Sequence, residues 1–341
     1  MLGITIFWHI LLWQGGLTMC TAISFSAKHH YFGRNLDLEY CLREAVTITP
    51  RNYEFYFRKT DPIPHHYAMI GTATISQNYP LYYEATNEMG LSMAGLNFPD
   101  NAFYNDSFSD AVNISPFELI PWVLCRCSSV KEAGALLRKT NIAAIPFSEE
   151  FPLSPLHWII NDAQESVTVE CVKSGLMITE NPVGVLTNNP PFDYHLHNLA
   201  HYLAITPTDP KNNLIPHLDI KPYSRGMGAI GLPGDLSSAS RFIRAVFTKS
   251  HSIQPNEELA AINQFFHILS SVAMTEGSVE VGQHLEKTVY TCCCDTDTGV
   301  YYYTTYENSQ ISAVHMHHED LDSDRLVSYP LLRAPQIRME N

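Results

Sequence analysis

A thiol, a guanidinium and a carboxylate share one short stretch of the 341-residue chain, "LTMCTAISFSAKHHYFGRNLDLEY" at 17–40, as Cys20, Arg34 and Asp37. Cys20 directly follows Met19. If Met19 is an initiator that is clipped away, Cys20 gains a free α-amino group beside its thiol. Such an amine titrates at ~7.7–8.0 and a free thiol at ~8.5. One residue then supplies a nucleophile and a general base matched to neutral pH. A neighbouring Arg34 favours the thiolate by placing positive charge beside it. Asp37 offers an acceptor for the α-ammonium or the thiol. The spacing alone leaves a structural role open, because one Arg and one Asp in a hairpin are common.

These residues need a scaffold of strands. "TAISF" and "HYFGRNLDLEY" read as two strands joined by the polar turn "SAKHH". "AVTITPRNYEFYF", "HYAMIGTATIS" and "LYYEATNEMGLSMAGLNFP" alternate in the same way, with Gly90 and Gly95 at turn or close-approach positions. "SPFELIPWVLCRCSSVKEAGALLRKTN" has helical periodicity in two pieces, with Ser128 and Ser129 available to cap the second. "LHWIINDAQESVTVECVKSGLMIT" reads as strand, turn, strand, strand. "YHLHNLAHYLAI", "SASRFIRAVFTKSHS" and "ELAAINQFFHILSSVAM" read as helices. "TVYTCCCDTDTGVYYYTTYENSQISAVHM" returns to strands with a turn at "DTDTG". Blocks of strands alternate with blocks of helices, unlike a parallel doubly wound fold. The pattern suits an α+β domain of antiparallel sheets layered between helices.

Composition narrows the function classes. The chain is 45% hydrophobic and 16% charged, enough apolar residues for a sizeable core. Its 35 acidic against 21 basic residues give a net charge of -14. An acidic surface repels nucleic acid and anionic lipid headgroups, so neither is expected as a partner. The eight cysteines show no disulfide spacing and fit a reducing, cytoplasmic compartment. Near the start, "ITIFWHILLW" is too short to span a bilayer, which takes ~20 residues. No Lys or Arg precedes it, and Leu17, Thr18 and Met19 do not form a signal-peptidase site. A lipoprotein signal would want a small residue where Met19 stands. The expectation is therefore that translation begins at Met19. Residues 1–19 would be an upstream extension absent from the mature protein, and 20–341 a single domain.

Other clusters compete for attention. Cys292, Cys293 and Cys294 with His315, His317 and His318 suggest a metal site at first sight. Consecutive strand residues point to opposite faces, so the cysteines cannot converge on one ion. His197 and His201 are four apart on a helix but lack the intervening glutamate of H-E-x-x-H. No metal is expected. Asn105 and Asn113 fit the glycosylation sequon but mean little without a secretion signal.

Six blocks decide between these possibilities: "MCTAISF", "YFGRNLDLEY", "NEMGLSMAGLNFP", "GVLTNNPPFDYHL", "LPGDLSSASRFIRA" and "YYYTTYENSQI". Together and in this order they resemble the choloylglycine hydrolase family, the bile salt hydrolases and penicillin V acylases within the N-terminal nucleophile hydrolases. The resemblance implies a four-layer αββα sandwich. It implies hydrolysis of the amide joining a bile acid to glycine or taurine, through a thioester on Cys20 and without a cofactor. By the same resemblance Arg34, Asp37 and Arg241 surround the nucleophile, and Asn97 and Asn188 bind the tetrahedral oxyanion. Leu36, Leu38, Ile142, Ile145 and Phe147 would line the acyl pocket. A homotetramer is implied as well. Asn97 favours the bile salt branch, since the penicillin V acylase branch typically carries tyrosine there. Cleavage of penicillin V or another N-acyl compound is the alternative. A non-catalytic bile-acid or lipid-binding protein with a retained extension is a third. The extension itself departs from the family, which usually begins at Met-Cys.

Overall fold

The computed structural model describes residues 19–341. The extension expected upstream lies, apart from Met19, outside the described residues. In chain order the first eight strands are β1 (Cys20–Ser26), β2 (His30–Leu38), β3 (Ala45–Thr49), β4 (Met69–Ser76), β5 (Tyr79–Asn87), β6 (Ser92–Asn97), β7 (Val112–Ile114) and β8 (Thr140–Ile142). Four more precede the long helices: β9 (Leu156–Asn161), β10 (Ser166–Val172), β11 (Gly175–Glu180) and β12 (Val185–Leu186). The last five are β13 (Val279–Val281), β14 (His284–Asp295), β15 (Val300–Thr305), β16 (Ser312–His315) and β17 (Val327–Pro330). The helices are α1 (Leu119–Leu124), α2 (Val130–Leu137), α3 (Phe192–Asn198), α4 (Ser238–His251) and α5 (Glu258–Ser270).

Two antiparallel sheets carry nearly all of these strands. One runs β12-β1-β2-β14-β15-β16, with β13 hairpinned onto β14; the other runs β11-β10-β9-β6-β5-β4-β3-β17. Helices α4 and α5 pack on the first sheet, α1 and α2 on the second, and β1 and β2 face β6 across the middle. This is the expected αββα sandwich. All nine residues of β2 are buried, because it has a strand on each edge and a layer on each face. One core fills the space between the sheets and under α4 and α5; a second lies between the outer sheet and α1 and α2.

Local signals explain most boundaries. Ser129 caps α2, its Oγ accepting from the Glu132 N–H. Gly90 takes φ +85° in the turn between β5 and β6, a conformation that suits glycine. The alternation after β3 does not continue as strand, because Pro50 removes a ladder donor. The helix expected over "YHLHNLAHYLAI" is shorter: α3 ends at Asn198 and a 3₁₀ turn, Leu199–Tyr202, completes it. The parallel pair of β7 and β8, the short β13 and the closing strand β17 have no clear sequence signal. Among the described residues no helix is long and apolar enough to cross a membrane.

Two features position the site and can be tested directly. Gly33 of β2 lies against β14 so closely that an added Cβ would fall 2.0 Å from the Cys292 carbonyl oxygen. Gly33→Ala is expected to lower unfolding free energy by about 3 kcal/mol or more, or to prevent folding. Gly234→Ala, whose Cβ would meet nothing within 4 Å, is the neutral control. Urea midpoints measure both. His195 of α3 is buried, stacked on Phe242, and its Nε2–H donates to the Asn188 carbonyl at 3.0 Å. Burial pushes its pKa down from 6.5 to about 4. The unfolded chain therefore takes up a proton below pH 6.5 that the folded chain refuses until about 4. Stability present above pH 6.5 is lost on descent through that window, by about 3 kcal/mol from this group. Denaturation midpoints across pH 4–7 should show the loss, and His195→Gln should flatten it.

Candidate active site

Cys20 opens β1 between two partners, and both bring chemistry. On one side Cys20 pairs with Leu36 of β2, so that Arg34 and Asp37 lie close by in the same ladder. On the other, β1 pairs with β12, whose continuation carries Asn188 past the Cys20 backbone. The Cys20 N–H donates to Asn188 Oδ1 at 2.8 Å. Arg241 enters from the first turns of α4. It donates to the carbonyl of Cys20, to Thr21 Oγ1 at 2.7 Å and to Asn188 Oδ1 at 2.8 Å. Asn188 Nδ2 in turn donates to the Asn97 carbonyl at 2.8 Å, which joins the end of β6 to the cluster. Cys20, Arg34, Asp37, Asn97, Asn188 and Arg241 are all buried.

A bulge tunes this cluster. Thr288 pairs with Asp37 while Tyr290 pairs with Leu36, leaving Val289 as an extra residue of β14. Thr288 Oγ1 thereby donates to Asp37 Oδ1 at 2.6 Å. The Asp37 N–H donates to the Met19 carbonyl at 3.1 Å and also faces the Cys20 sulfur. Among the described residues, Asp37 Oδ2 and Arg34 Nη2 are buried without a hydrogen-bond partner. Burial raises the Cys20 thiol pKa, Arg34 and Arg241 pull it down, and Asp37 pushes it up. Asp37 itself is raised to about 6 by burial, against the pull of Arg241 and Arg34.

Beside Cys20 opens a cavity of about 1190 Å³, somewhat larger than most small-molecule sites. Leu36, Leu38, Ile145 and Phe147 line it, together with Asn97 and Arg34. Ile142 does not. It belongs to β8, paired with Ile114 of β7, and is buried in the outer core with Trp122 and Leu137. The sequence placed it near the site because "NIAAIPF" is continuous, but only the residues after the strand reach the cavity. The histidines at 315 and 318 stack on each other at the end of β16, away from the cavity.

Two carboxylates at the cluster had no place in the sequence reading. Glu286 of β14 accepts from the Met19 N–H at 2.6 Å, and burial raises its pKa to about 8. Glu84 of β5 lies 3.8 Å from Arg34 Nε. Glu84 is the one charged residue of β5, and that was the available signal for it; Glu286 stands beside Lys287 in β14 and had none.

Relatives share this arrangement of elements. A bile salt hydrolase/transferase of Lactiplantibacillus plantarum is 54% identical over 320 residues, covering 93% of this chain and 98% of that protein. A bile salt hydrolase/transferase of Clostridium perfringens is 38% identical over 334 residues, covering 95% and 100%. A crystal structure of a variant conjugated bile acid hydrolase from Clostridium perfringens superposes with a TM-score of 0.88 at 35% identity, covering 94% of this chain and 100% of that one. Penicillin V acylase from Agrobacterium tumefaciens shares the fold, with a TM-score of 0.72 at 20% identity over 91% and 90% of the two chains. The model of the linear amide C–N hydrolases, choloylglycine hydrolase family, matches residues 20–329, and the chain belongs to that family.

Proposed function

We propose that this enzyme hydrolyses the amide bond of glycine- or taurine-conjugated bile acids with Cys20 as an N-terminal nucleophile. The observation that carries the reading is the convergence of Cys20, Asn188 and Arg241 beside a large apolar cavity, in a chain 54% identical to a bile salt hydrolase/transferase. The family match begins at Cys20, which supports maturation to a chain starting there and a single domain over 20–341.

In such a chain the α-amino nitrogen takes the Cys20 thiol proton, and the sulfur attacks the amide carbon. Asn97 and Asn188 hold the oxyanion; one such donor is worth about 3–4 kcal/mol of barrier. Collapse breaks the C–N bond, and the proton on the α-amine passes to the leaving nitrogen. The acyl group remains as a thioester. Water then attacks, gives its proton to the same amine, and the bile acid leaves as the thiol is restored. Arg34 and Arg241 favour the thiolate, and Asp37 holds the ammonium. The steroid body lies against Leu36, Leu38, Ile145 and Phe147, which remove its apolar surface from water. The two arginines also offset the net charge of -14 for an anionic substrate. Eight unbridged cysteines support a cytoplasmic location.

The family resemblance also supports a homotetramer. Between α3 and α4 an irregular arm, residues 203–237, exposes Leu214 (87%) and Tyr223 (88%) along with Leu203 and Ile230. Apolar groups so presented suit contact with another copy. Light scattering should give a tetramer for the chain expressed from Met19. Leu214→Glu with Tyr223→Glu should shift it to smaller species. A wild-type monomer would sink the reading.

Amine release from taurocholate, glycocholate and penicillin V tests the activity. Fast release from the bile salts is expected, with at least a 10³-fold loss of kcat in Cys20→Ser. Release mainly from penicillin V would move the chain to the acylase branch. Bile-acid binding without turnover, by a chain shown to begin at Cys20, would make it a binding protein.

A further inference from the structure

Arg34 is held from behind by a polar junction that joins the two sheets. Glu84 reaches from β5 of the outer sheet into the space between them. Its Oε2 accepts from the Tyr290 hydroxyl at 2.7 Å, and its Oε1 from the Tyr301 hydroxyl at 2.6 Å and the Thr72 N–H at 3.1 Å. Tyr290 and Tyr301 belong to β14 and β15 of the other sheet. Tyr301 also bonds Thr72 Oγ1 at 2.6 Å, closing the ring. Glu84, Tyr290 and Tyr301 are all buried.

The junction faces Arg34. Nε of Arg34 donates to the Asn35 carbonyl at 3.4 Å and forms an ion pair with Glu84 Oε2 at 3.8 Å, while Nη1 donates to the Gly95 carbonyl at 2.6 Å and the Tyr83 carbonyl at 3.1 Å. Both carbonyls come from the outer sheet, and Tyr83 is the extra residue of a second bulge, since Thr72 pairs with Glu84 and Ala73 with Tyr82. With the Nε and Nη1 edges so occupied, Nη2 is the edge left over. Arg34 and Cys20 both line the cavity, and Arg34 is the foremost of the charges that pull the Cys20 thiol pKa down. Glu84 does not line the substrate cavity, so it cannot act by touching substrate there.

We propose that Glu84, clamped by Tyr290 and Tyr301, is a positioning residue that fixes the Arg34 guanidinium so that its Nη2 edge is kept for the Cys20 sulfur. The proposal rests on Cys20 as the nucleophile but not on the choice of substrate. The other charges facing Cys20 are Asp37 of β2, Arg241 of α4 and Glu286 of β14, and they stay constant in the variants below.

Two effects of Glu84→Gln have opposite signs. Acting only as a background anion, Glu84 would raise the Cys20 thiol pKa, and its removal would lower it. As a clamp, its removal frees Arg34 from the sulfur and raises the thiol pKa. The pH dependence of iodoacetamide alkylation, followed by mass spectrometry on the Cys20 peptide, reads the thiol with or without a substrate. The chain expressed from Met19 is used. We expect Glu84→Gln to raise the thiol pKa by about one unit, a tenfold loss of thiolate at neutral pH. The kcat should fall about tenfold with KM within twofold of wild type. Tyr301→Phe, which removes one hydroxyl of the clamp, should move both in the same direction by less and serves if Glu84→Gln does not fold. A lowered or unchanged thiol pKa in the folded variant overturns the proposal, as does a changed KM at constant kcat. Loss of turnover with bile salts in the wild type, alongside an intact alkylation shift, would instead remove the substrate assignment and leave this one standing.

Discussion

A guanidinium buried between two β-sheets must find acceptors for its N–H groups, and Arg34 imposes that demand on everything around it. It is only 1% exposed. No sheet offers spare carbonyls in its regular ladder, because each is already taken by a neighbouring strand. The bulge at Tyr83 and Gly95, just past the last β5–β6 pair at Glu84 and Ala94, supply two to Nη1, and the Asn35 carbonyl accepts from Nε. A carboxylate from the facing sheet, Glu84, balances the charge. Leaving one member of such a pair uncompensated typically costs about 3–5 kcal/mol. The polar junction thus ties the facing sheets together at the place where the reactive thiol sits.

Arg241 meets the same demand in a different way. It comes from a helix, and it spends its N–H groups on the Cys20 carbonyl, Thr21, Asn188 and the Leu236 carbonyl. Those bonds draw three segments together: the start of β1, the chain after β12 and the start of α4. Asn188 is the hub, since its Oδ1 accepts from both Cys20 and Arg241 while its Nδ2 reaches Asn97. The two arginines lie on opposite sides of the thiol's strand. Together they lower the cost of a thiolate that burial alone would make expensive.

The sequence shows some of this plainly and some not at all. Strand alternation and helix periodicity give the layers, because each element buries one face and the period follows. Cys20, Arg34 and Asp37 are legible as chemistry from their types, but Asn97, Asn188 and Arg241 are not. Asn before Pro stabilises loops, and an Arg on a helix is usually solvated, so only the family motifs single these out. Glu84 and Glu286 are invisible as partners, because each reaches its target across a contact between residues far apart in sequence. Ile142 fails for the converse reason. Proximity in the chain to Ile145 and Phe147 does not carry it past the end of β8. The irregular arm at 203–237 has no periodicity for a sequence to display.

Of the segment before Cys20 only Met19 is described, and its contacts bear on how the site is armed. Regular pairing between β1 and β2 starts at Cys20 with Leu36, and the Asp37 N–H carries it one bond further, to the Met19 carbonyl. Met19 adds two hydrogen bonds, one to Glu286 and one from the Asp37 N–H. In a chain that begins at Cys20 both are released. The Asp37 N–H then turns wholly to the sulfur, where it favours the thiolate. Glu286 then loses its amide donor, and a positive α-ammonium one residue away from that donor would bring its raised pKa back down. Removal of Met19 therefore costs the two hydrogen bonds it makes and leaves Asp37 and Glu286 close to the residue whose amine the proposed chemistry uses.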